Sequence, residues 1–271
     1  MMPKLQRLRA LSLNGYSIRK LPNAIGDLKY LQYLDLCYTD IHVLPESISS
    51  IYNLQILKLI GCHSLKKLCT DMGNLINLRY LNVSSIKRKC SAWLAGVANL
   101  AGMPLRTCMG STSLENLSIE YCKSLMYIAR NRLPSNLKRP GIGGCDNLRG
   151  LMQEENNNLP ATLEVIGIHN CLKLESIAER FENHTALKTI NISDCESLKS
   201  LPTGGDLPYM NLTSLHIRNY DGNLYDFINL QKLRSLITKK RTSTPLPSPS
   251  TKGTSASLLM THTRHVRGLN N

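Results

Sequence analysis

The sequence lacks any uninterrupted apolar run long enough to cross a membrane. Its first residues carry Lys4, Arg7 and Arg9 but not the apolar stretch that follows the basic part of a secretory signal. We therefore expect neither a signal peptide nor a membrane anchor.

Sequence motifs that support catalysis or cofactor binding are also missing. Gly141-Ile142-Gly143-Gly144 is followed by Asp146 and Asn147, where a phosphate-binding loop needs glycine and lysine. The chain has no C-x-x-C, no H-E-x-x-H and no G-x-S-x-G motif. We predict a protein that is not an enzyme, with no catalytic residue, no bound metal and no cofactor.

Acidic and aromatic residues are scarce. Asp and Glu number 19 against 33 Lys and Arg, for a formal net charge of +14, and the chain has 1 Trp and 2 Phe. A basic excess is typical of nucleic-acid binding when the charges form one stripe with interleaved aromatic residues. Here the basic residues are scattered along the chain, so we do not expect a nucleic-acid partner.

Leucine, by contrast, recurs in an almost constant register about every 24 residues. Each repeat reads L-x-x-L-x-L-x-x-(C/T/Y). The repeats begin at Leu8, Leu31, Leu54, Leu78, Leu114, Leu137, Leu163, Leu187 and Leu212. This pattern predicts an α/β solenoid, a leucine-rich-repeat horseshoe of about nine or ten coils, with a parallel β-sheet on the concave side and irregular or short helical segments on the convex side.

Alternation along each predicted strand separates an inward face from an outward face. The leucines at the fourth and sixth repeat positions point into the core, and the residues between them point out. The outward residues with side chains suited to protein binding are Tyr33, Asp35, Ile56, Lys58, Tyr80, Arg139, His169, His216 and Arg218. We predict that they contact a protein partner; the alternative is that they only solvate the strand face.

Cysteine follows the same repeat. Five of the 9 cysteines lie eight residues after the first leucine of their repeat: Cys62, Cys122, Cys145, Cys171 and Cys195. Equivalent positions stack as a ladder in a solenoid, and five equivalent sites cannot all pair as disulfides. We predict buried, reduced thiols and a cytoplasmic location, and we expect Cys37 to face outward.

Changes of repeat template divide the chain. Residues 1–85 follow a template with Leu-Pro after the strand, as at Leu21-Pro22, and residues 114–237 follow the cysteine template. Residues 86–113 form an irregular junction in which the frame is lost. Residues 238–271 form a basic Ser/Thr/Pro-rich tail with a composition typical of disorder. Its Lys239-Lys240-Arg241 run is a solvated charge cluster or, alternatively, a nuclear import signal.

Several segments of the first repeats carry a family resemblance. They are Leu11-Ser-Leu-Asn-Gly-Tyr-Ser-Ile-Arg-Lys-Leu-Pro22, Ile25-Gly-Asp-Leu-Lys-Tyr-Leu-Gln-Tyr-Leu-Asp-Leu36, Leu44-Pro-Glu-Ser-Ile48 and Gly73-Asn-Leu-Ile-Asn-Leu-Arg-Tyr-Leu81. The chain resembles the repeat region of plant disease-resistance proteins of the coiled-coil, nucleotide-binding, leucine-rich-repeat class. The resemblance covers about residues 3 to 220 and does not include the family's coiled-coil or nucleotide-binding domains.

The resemblance implies a protein-binding module of plant innate immunity. Its partners would be a pathogen effector, a guarded host protein or a nucleotide-binding switch domain in the same or another chain. Two alternatives stay open: a substrate receptor or scaffold of a ubiquitin ligase, although no F-box-like segment precedes the repeats, and a truncated, non-functional resistance-gene product.

Overall fold

A computed structural model describes most of the repeats. The described residues are 5–65, 68–69, 71–84, 113–123, 125–129, 133–153, 159–178, 186–199, 201, 211–220 and 234–239. The predicted junction therefore lies outside the described residues except at Ser113. The predicted tail does so except at Thr238 and Lys239, which belong to the last strand.

Ten strands form one parallel sheet across the described repeats, in the order β1-β2-β3-β4-β5-β7-β9-β10-β11-β12, and β6 pairs separately with β8. The strands are β1 Ala10–Ser12, β2 Tyr33–Asp35, β3 Ile56–Leu59, β4 Tyr80–Ser84, β5 Asn116–Glu120, β6 Tyr127–Ala129, β7 Arg139–Gly143, β8 Gly150–Met152, β9 Val165–His169, β10 Thr189–Ser193, β11 Ser214–Arg218 and β12 Ser235–Lys239. Each repeat adds a strand beside the previous one, and the predicted leucine-rich-repeat solenoid is confirmed.

The register of the sheet stacks equivalent repeat positions. Leu34 pairs with Leu11 on one side and with Leu57 on the other. Ile168 lies between Ile142 and Ile192 in the same way. All of these except Leu11 are buried, and Leu11 packs against the core at its first coil. The inward leucines and isoleucines thus form one continuous core that no single repeat could bury alone.

The convex side changes with the repeat template. The first coils close with short 3₁₀ helices, η1 Asn23–Asp27, η2 Glu46–Ser50 and η3 Met72–Asn74. Pro22 and Pro45 precede the first two with φ of -68° and -64°, the values to which the proline ring restricts the backbone. In the cysteine-template coils, β6 and β8 form a short parallel pair on this side instead. None of the helices among the described residues is long and apolar enough to span a membrane.

A left-handed residue follows the strand in eight of the coils, always seven positions after the first leucine. These residues are Gly15, Tyr38, Gly61, Tyr121, Gly144, Asn170, Asp194 and Asn219. A Cβ at Gly61 would lie 2.5 Å from Cδ1 of Tyr38, and a Cβ at Gly144 would lie 2.5 Å from Cδ1 of Tyr121. The tyrosine of one coil therefore packs on the glycine of the next, and a side chain at that glycine would have to displace the tyrosine ring.

Candidate functional site

The ladder cysteines lie in the core directly after this left-handed turn. All five are buried, and none of them is in a disulfide. Cys145, Cys171 and Cys195 each donate to the carbonyl oxygen two residues earlier, over 3.4, 3.5 and 3.4 Å. A thiol at this position therefore donates a hydrogen bond to a turn carbonyl that would otherwise lack this partner inside an apolar core.

Thr39 occupies the equivalent position in the second coil and extends the row with a hydroxyl. Its Oγ1 donates to the carbonyl oxygen of Leu36 over 2.8 Å and lies 3.6 Å from Sγ of Cys62. Cys62 donates to the same carbonyl over 3.0 Å. Burial raises the pKa of Cys62 above its ordinary value. Thr39 and Cys62 thus both donate to the Leu36 carbonyl inside the core.

The outward strand positions form the concave face, which has three rows. The middle row, for example, runs through Asp35, Lys58, Asn82, Ser118, Gly141, Gly167, Asn191, His216 and Ile237, each beside the next in the sheet register. Tyr33, Ile56, Tyr80 and Arg139 belong to the row at the start of the strands, and His169 and Arg218 to the row at their ends. The sheet therefore brings all nine predicted binding residues to one face.

At the first strands of this face, an aromatic ring, a carboxylate and an ammonium group form a small polar cluster. The Tyr33 hydroxyl donates to Oδ2 of Asp35 over 3.0 Å. Nζ of Lys58 lies 5.3 Å from the centre of the Tyr33 ring. A hydrogen bond with Tyr33 raises the pKa of Lys58, so the ammonium form is favoured. Tyr33 and Lys58 are half-exposed and accessible to a partner.

Asp35 departs from the prediction, because its side chain is not available to solvent. The residue is only 6% exposed. Burial raises the pKa of its carboxyl, but hydrogen bonds from Cys37, Tyr33 and Asn14 outweigh this and lower the pKa below its ordinary value. The expectation of an exposed carboxylate is wrong, since the neighbouring side chains cover it and use both of its oxygens.

Cys37 departs from the prediction in the same direction. It was expected to face outward into solvent, yet it is 3% exposed. Its N–H donates to Oδ1 of Asp35 over 3.0 Å. Burial, assisted by Asp35, raises the pKa of the Cys37 thiol to about 12. The prediction that Cys37 is available on the outward face is wrong, because neighbouring residues cover it.

Asn82 was not predicted as a site residue, although it lies beside Lys58 in the sheet. It is buried, and its Nδ2 donates to the Tyr80 hydroxyl over 3.4 Å. Its Oδ1 has no hydrogen-bond partner among the described residues. Tyr80 and Asn82 add a second polar pair to this part of the concave face.

Ion pairs flank the central strands. Arg139 pairs with Glu164 of the next coil. Nζ of Lys138 lies 3.1 Å from Oε2 of Glu115 in the previous coil. Both pairs are partly exposed, so each contributes little to stability. Because Arg139 is paired with Glu164, a binding partner would meet an ion pair there rather than a lone positive charge.

The last strands enclose a groove of about 620 Å³ on the concave face. Its lining includes Gly167, His169, His216, Arg218 and Ile237. Nε2 of His216 lies 3.1 Å from Oγ of Ser235, which orients the ring. Gly167 and Ile237 were not among the predicted binding residues, although the repeat frame places both in the outward middle row. Three predicted residues therefore share one groove, and the other six lie along the sheet outside it.

A metal site is not visible in this geometry. Among the residues that the structure describes, no three His, Cys, Asp or Glu side chains are grouped to hold an ion. The described face offers hydrogen-bonding, cationic and apolar groups on an open sheet, which suits contact with a macromolecule.

Comparisons with known proteins agree with this geometry. A leucine-rich repeat region family model matches residues 1–139, more than half of the chain. Disease resistance protein RPS4B of Arabidopsis thaliana is 29% identical over 154 residues, covering 54% of this chain and 13% of that protein. A disease resistance RPP13-like protein 2 of the same plant is 40% identical over 85 residues, covering 29% of this chain and 10% of that protein.

Solved structures agree on the fold. The leucine-rich-repeat domain of the type III effector XopL superposes with a TM-score of 0.55 at 20% identity, covering 86% of this chain and 70% of that one. The predicted resemblance to the repeat region of plant resistance proteins is confirmed, and the chain spans a small part of the length of these relatives. Because the family model matches more than half of the residues, the chain belongs to the leucine-rich-repeat family.

Proposed function

We propose that the chain is a protein-binding module of plant innate immunity, acting by contact rather than by catalysis. Its concave face binds a pathogen effector or a guarded host protein, or restrains a nucleotide-binding switch domain. The observation that carries the proposal is the continuous parallel sheet, whose outward side chains include half-exposed tyrosines and exposed cations. Tyrosine and arginine are enriched among residues that dominate protein interfaces. The similarity to plant resistance proteins supplies the biological setting.

The cytoplasm is the proposed compartment, because the seven described cysteines are buried and not joined in disulfides. A fluorescent fusion of the full chain in leaf cells tests this location. Cytoplasmic signal, with or without nuclear signal, agrees with the proposal, and secretion contradicts it.

Association with a switch domain provides the test of function. The full chain and a tagged nucleotide-binding domain from a resistance protein of the resembled class would be co-expressed in leaves and co-precipitated. Lys58→Glu and Arg218→Glu reverse charges on the concave face, and Arg149→Glu reverses an exposed charge beside β8 on the convex side. We expect the concave variants to lower recovery and the convex control to leave it unchanged. Equal recovery for all three variants would contradict binding through the concave face.

A further inference from the structure

Two glycines leave a gap in the middle row of the concave face. Gly141 and Gly167 are register partners on β7 and β9, so the side chains are missing from two adjacent strands. A Cβ built at Gly141 would meet no atom within 4 Å, and one at Gly167 would lie 3.8 Å from the carbonyl oxygen of Pro140, an ordinary contact. We call this pair the glycine floor.

Packing within the described residues does not require glycine in the floor. At Gly143, by contrast, a Cβ would lie 2.0 Å from Nε2 of His169, so a side chain there would require the histidine ring to move. Glycine inside a strand costs about 0.5–1 kcal/mol relative to alanine. A strand glycine that its own fold does not need is typical of a place where a ligand approaches the backbone closely.

The groove continues from the glycine floor to an exposed apolar edge. Gly167 lines one end and Ile237, which is 45% exposed, lines the other. His169 lies beside Gly167 on β9, and His216 and Arg218 lie on β11 between the two ends; His169 and Arg218 are exposed. The groove thus combines an exposed isoleucine at one end with imidazole and guanidinium groups along its length.

The charge in the groove has one sign. The outward positions of β9, β10 and β11 are Val165, Gly167, His169, Thr189, Asn191, Ser193, Ser214, His216 and Arg218, and none is acidic. Asp194 follows β10 in the turn, where its carboxylate accepts a hydrogen bond from the Asn219 amide. A carboxylate brought by a partner would find the Arg218 guanidinium here, beside the hydrogen-bonding imidazoles of His169 and His216. The same positions hold no Phe, Tyr or Trp ring on which a nucleic-acid base would stack.

We propose that this groove binds an extended acidic segment of a partner protein. An apolar side chain of the segment rests on the glycine floor at Gly167, and its carboxylates face His169 and Arg218. This inference rests on the proposed function, since it names the chemistry of the partner that the concave face takes.

The test begins with a random-peptide library displayed on phage and selected on the immobilised full chain. The enriched peptide is then synthesised with a fluorescent label and titrated by anisotropy. We expect enriched peptides to combine Asp or Glu with a large apolar residue. A labelled poly(U) RNA, titrated in parallel, reports on nucleic-acid binding.

Two substitutions separate the two parts of the groove. Arg218→Glu places a like charge opposite the peptide carboxylates, and Gly167→Val fills the floor; each is expected to weaken peptide binding roughly tenfold or more. Valine is favoured in strands, so the thermal midpoint of Gly167→Val should be no lower than that of the original chain. Gly167→Ala, with one added carbon, serves if the valine variant does not fold. Arg149→Glu is the charge-matched control on the convex side and should leave binding unchanged.

The remaining outcomes overturn the proposal in distinguishable ways. Enriched peptides without acidic residues, or binding unaffected by both groove variants, contradict it. If peptide binding is lost instead with Lys58→Glu, the groove assignment fails while the proposed function stands. If no peptide is enriched, or none depends on any concave position, the groove proposal fails, and the co-precipitation with the switch domain decides the proposed function separately. Tight poly(U) binding that is lost with Arg218→Glu would replace the acidic segment with a nucleic acid.

Discussion

The Tyr33 hydroxyl donates a 3.0 Å hydrogen bond to Oδ2 of Asp35, two residues further along the same face of β2. The other carboxylate oxygen, Oδ1, accepts the N–H of Cys37 over 3.0 Å, in the turn that follows the strand. Asp35 therefore connects the strand to its turn. It is a structural residue on a face where its neighbours Tyr33 and Lys58 are accessible.

Asp35→Ala should destabilise the fold. It removes a carboxylate that accepts two hydrogen bonds and leaves the Cys37 N–H unpaired, at a cost of about 1–3 kcal/mol. Asp35→Asn keeps one acceptor oxygen and should cost less. Urea unfolding at neutral pH measures both changes, and an Asp35→Ala variant as stable as the original chain would contradict this role.

The same carboxylate predicts how stability depends on pH. Its folded-state pKa lies below the ordinary value of 3.8, so its contribution is complete above that value and is lost as the pH falls through the folded pKa. The difference in unfolding free energy between the original chain and Asp35→Ala should therefore shrink in acid. Urea titrations from neutral pH down to about pH 3 test this, and a constant difference over that range would count against a charged Asp35.

Gly144→Ala should also destabilise the fold, for a reason in the backbone. Gly144 has φ +60°, and a new Cβ would collide with the Tyr121 ring. The left-handed backbone alone costs about 1–2 kcal/mol for a residue with a Cβ, and displacement of the ring adds to this. Asn170 occupies the same repeat position with φ 52°, so Asn170→Gly is the matched control and should change stability by no more than about 0.5 kcal/mol. A lowered urea midpoint in both variants would argue against this explanation.

The leucine period was sufficient to predict the sheet and the inward faces, because burial in a solenoid follows the repeat position alone. It was not sufficient for the left-handed row, since Tyr38, Asn170 and Gly144 share a backbone conformation without sharing a residue type. It also missed the burial of Asp35, which depends on the side chains of Tyr33, Cys37 and Asn14 around it. The period did not predict the groove either, because its shape depends on which side chains stand along it, from the glycine at Gly167 to the exposed Ile237 three strands away.

Leu34→Ala and Arg218→Ala should differ sharply, although both residues lie in strands of the same sheet. Leu34 is fully buried, and truncation leaves a cavity between neighbouring coils at a cost of about 2–5 kcal/mol. Arg218 is exposed on the concave face, and its truncation should change stability by no more than about 0.5 kcal/mol. Urea unfolding of the two variants checks the assignment of the strand faces, which fails if both lose equal stability.

Thiol reactivity should report the cysteine row. The thiolate is the species that alkylating reagents attack, so a thiol reacts slowly when it is buried and when its pKa is raised. Burial excludes reagent from Cys62, Cys122, Cys145, Cys171 and Cys195. In the native chain these residues should be alkylated slowly by iodoacetamide, and in urea all should react at the rate of an unfolded peptide. Mass spectrometry of the digested protein assigns the label to each cysteine.

Cys37 provides an internal comparison, because it lies outside the row yet is also buried, with a pKa raised to about 12. If burial controls reactivity, Cys37 should be as slow as the row. Rapid native labelling of Cys62 or Cys145 would show that the turns open readily, and stable bridges between neighbouring thiols would contradict a reduced row.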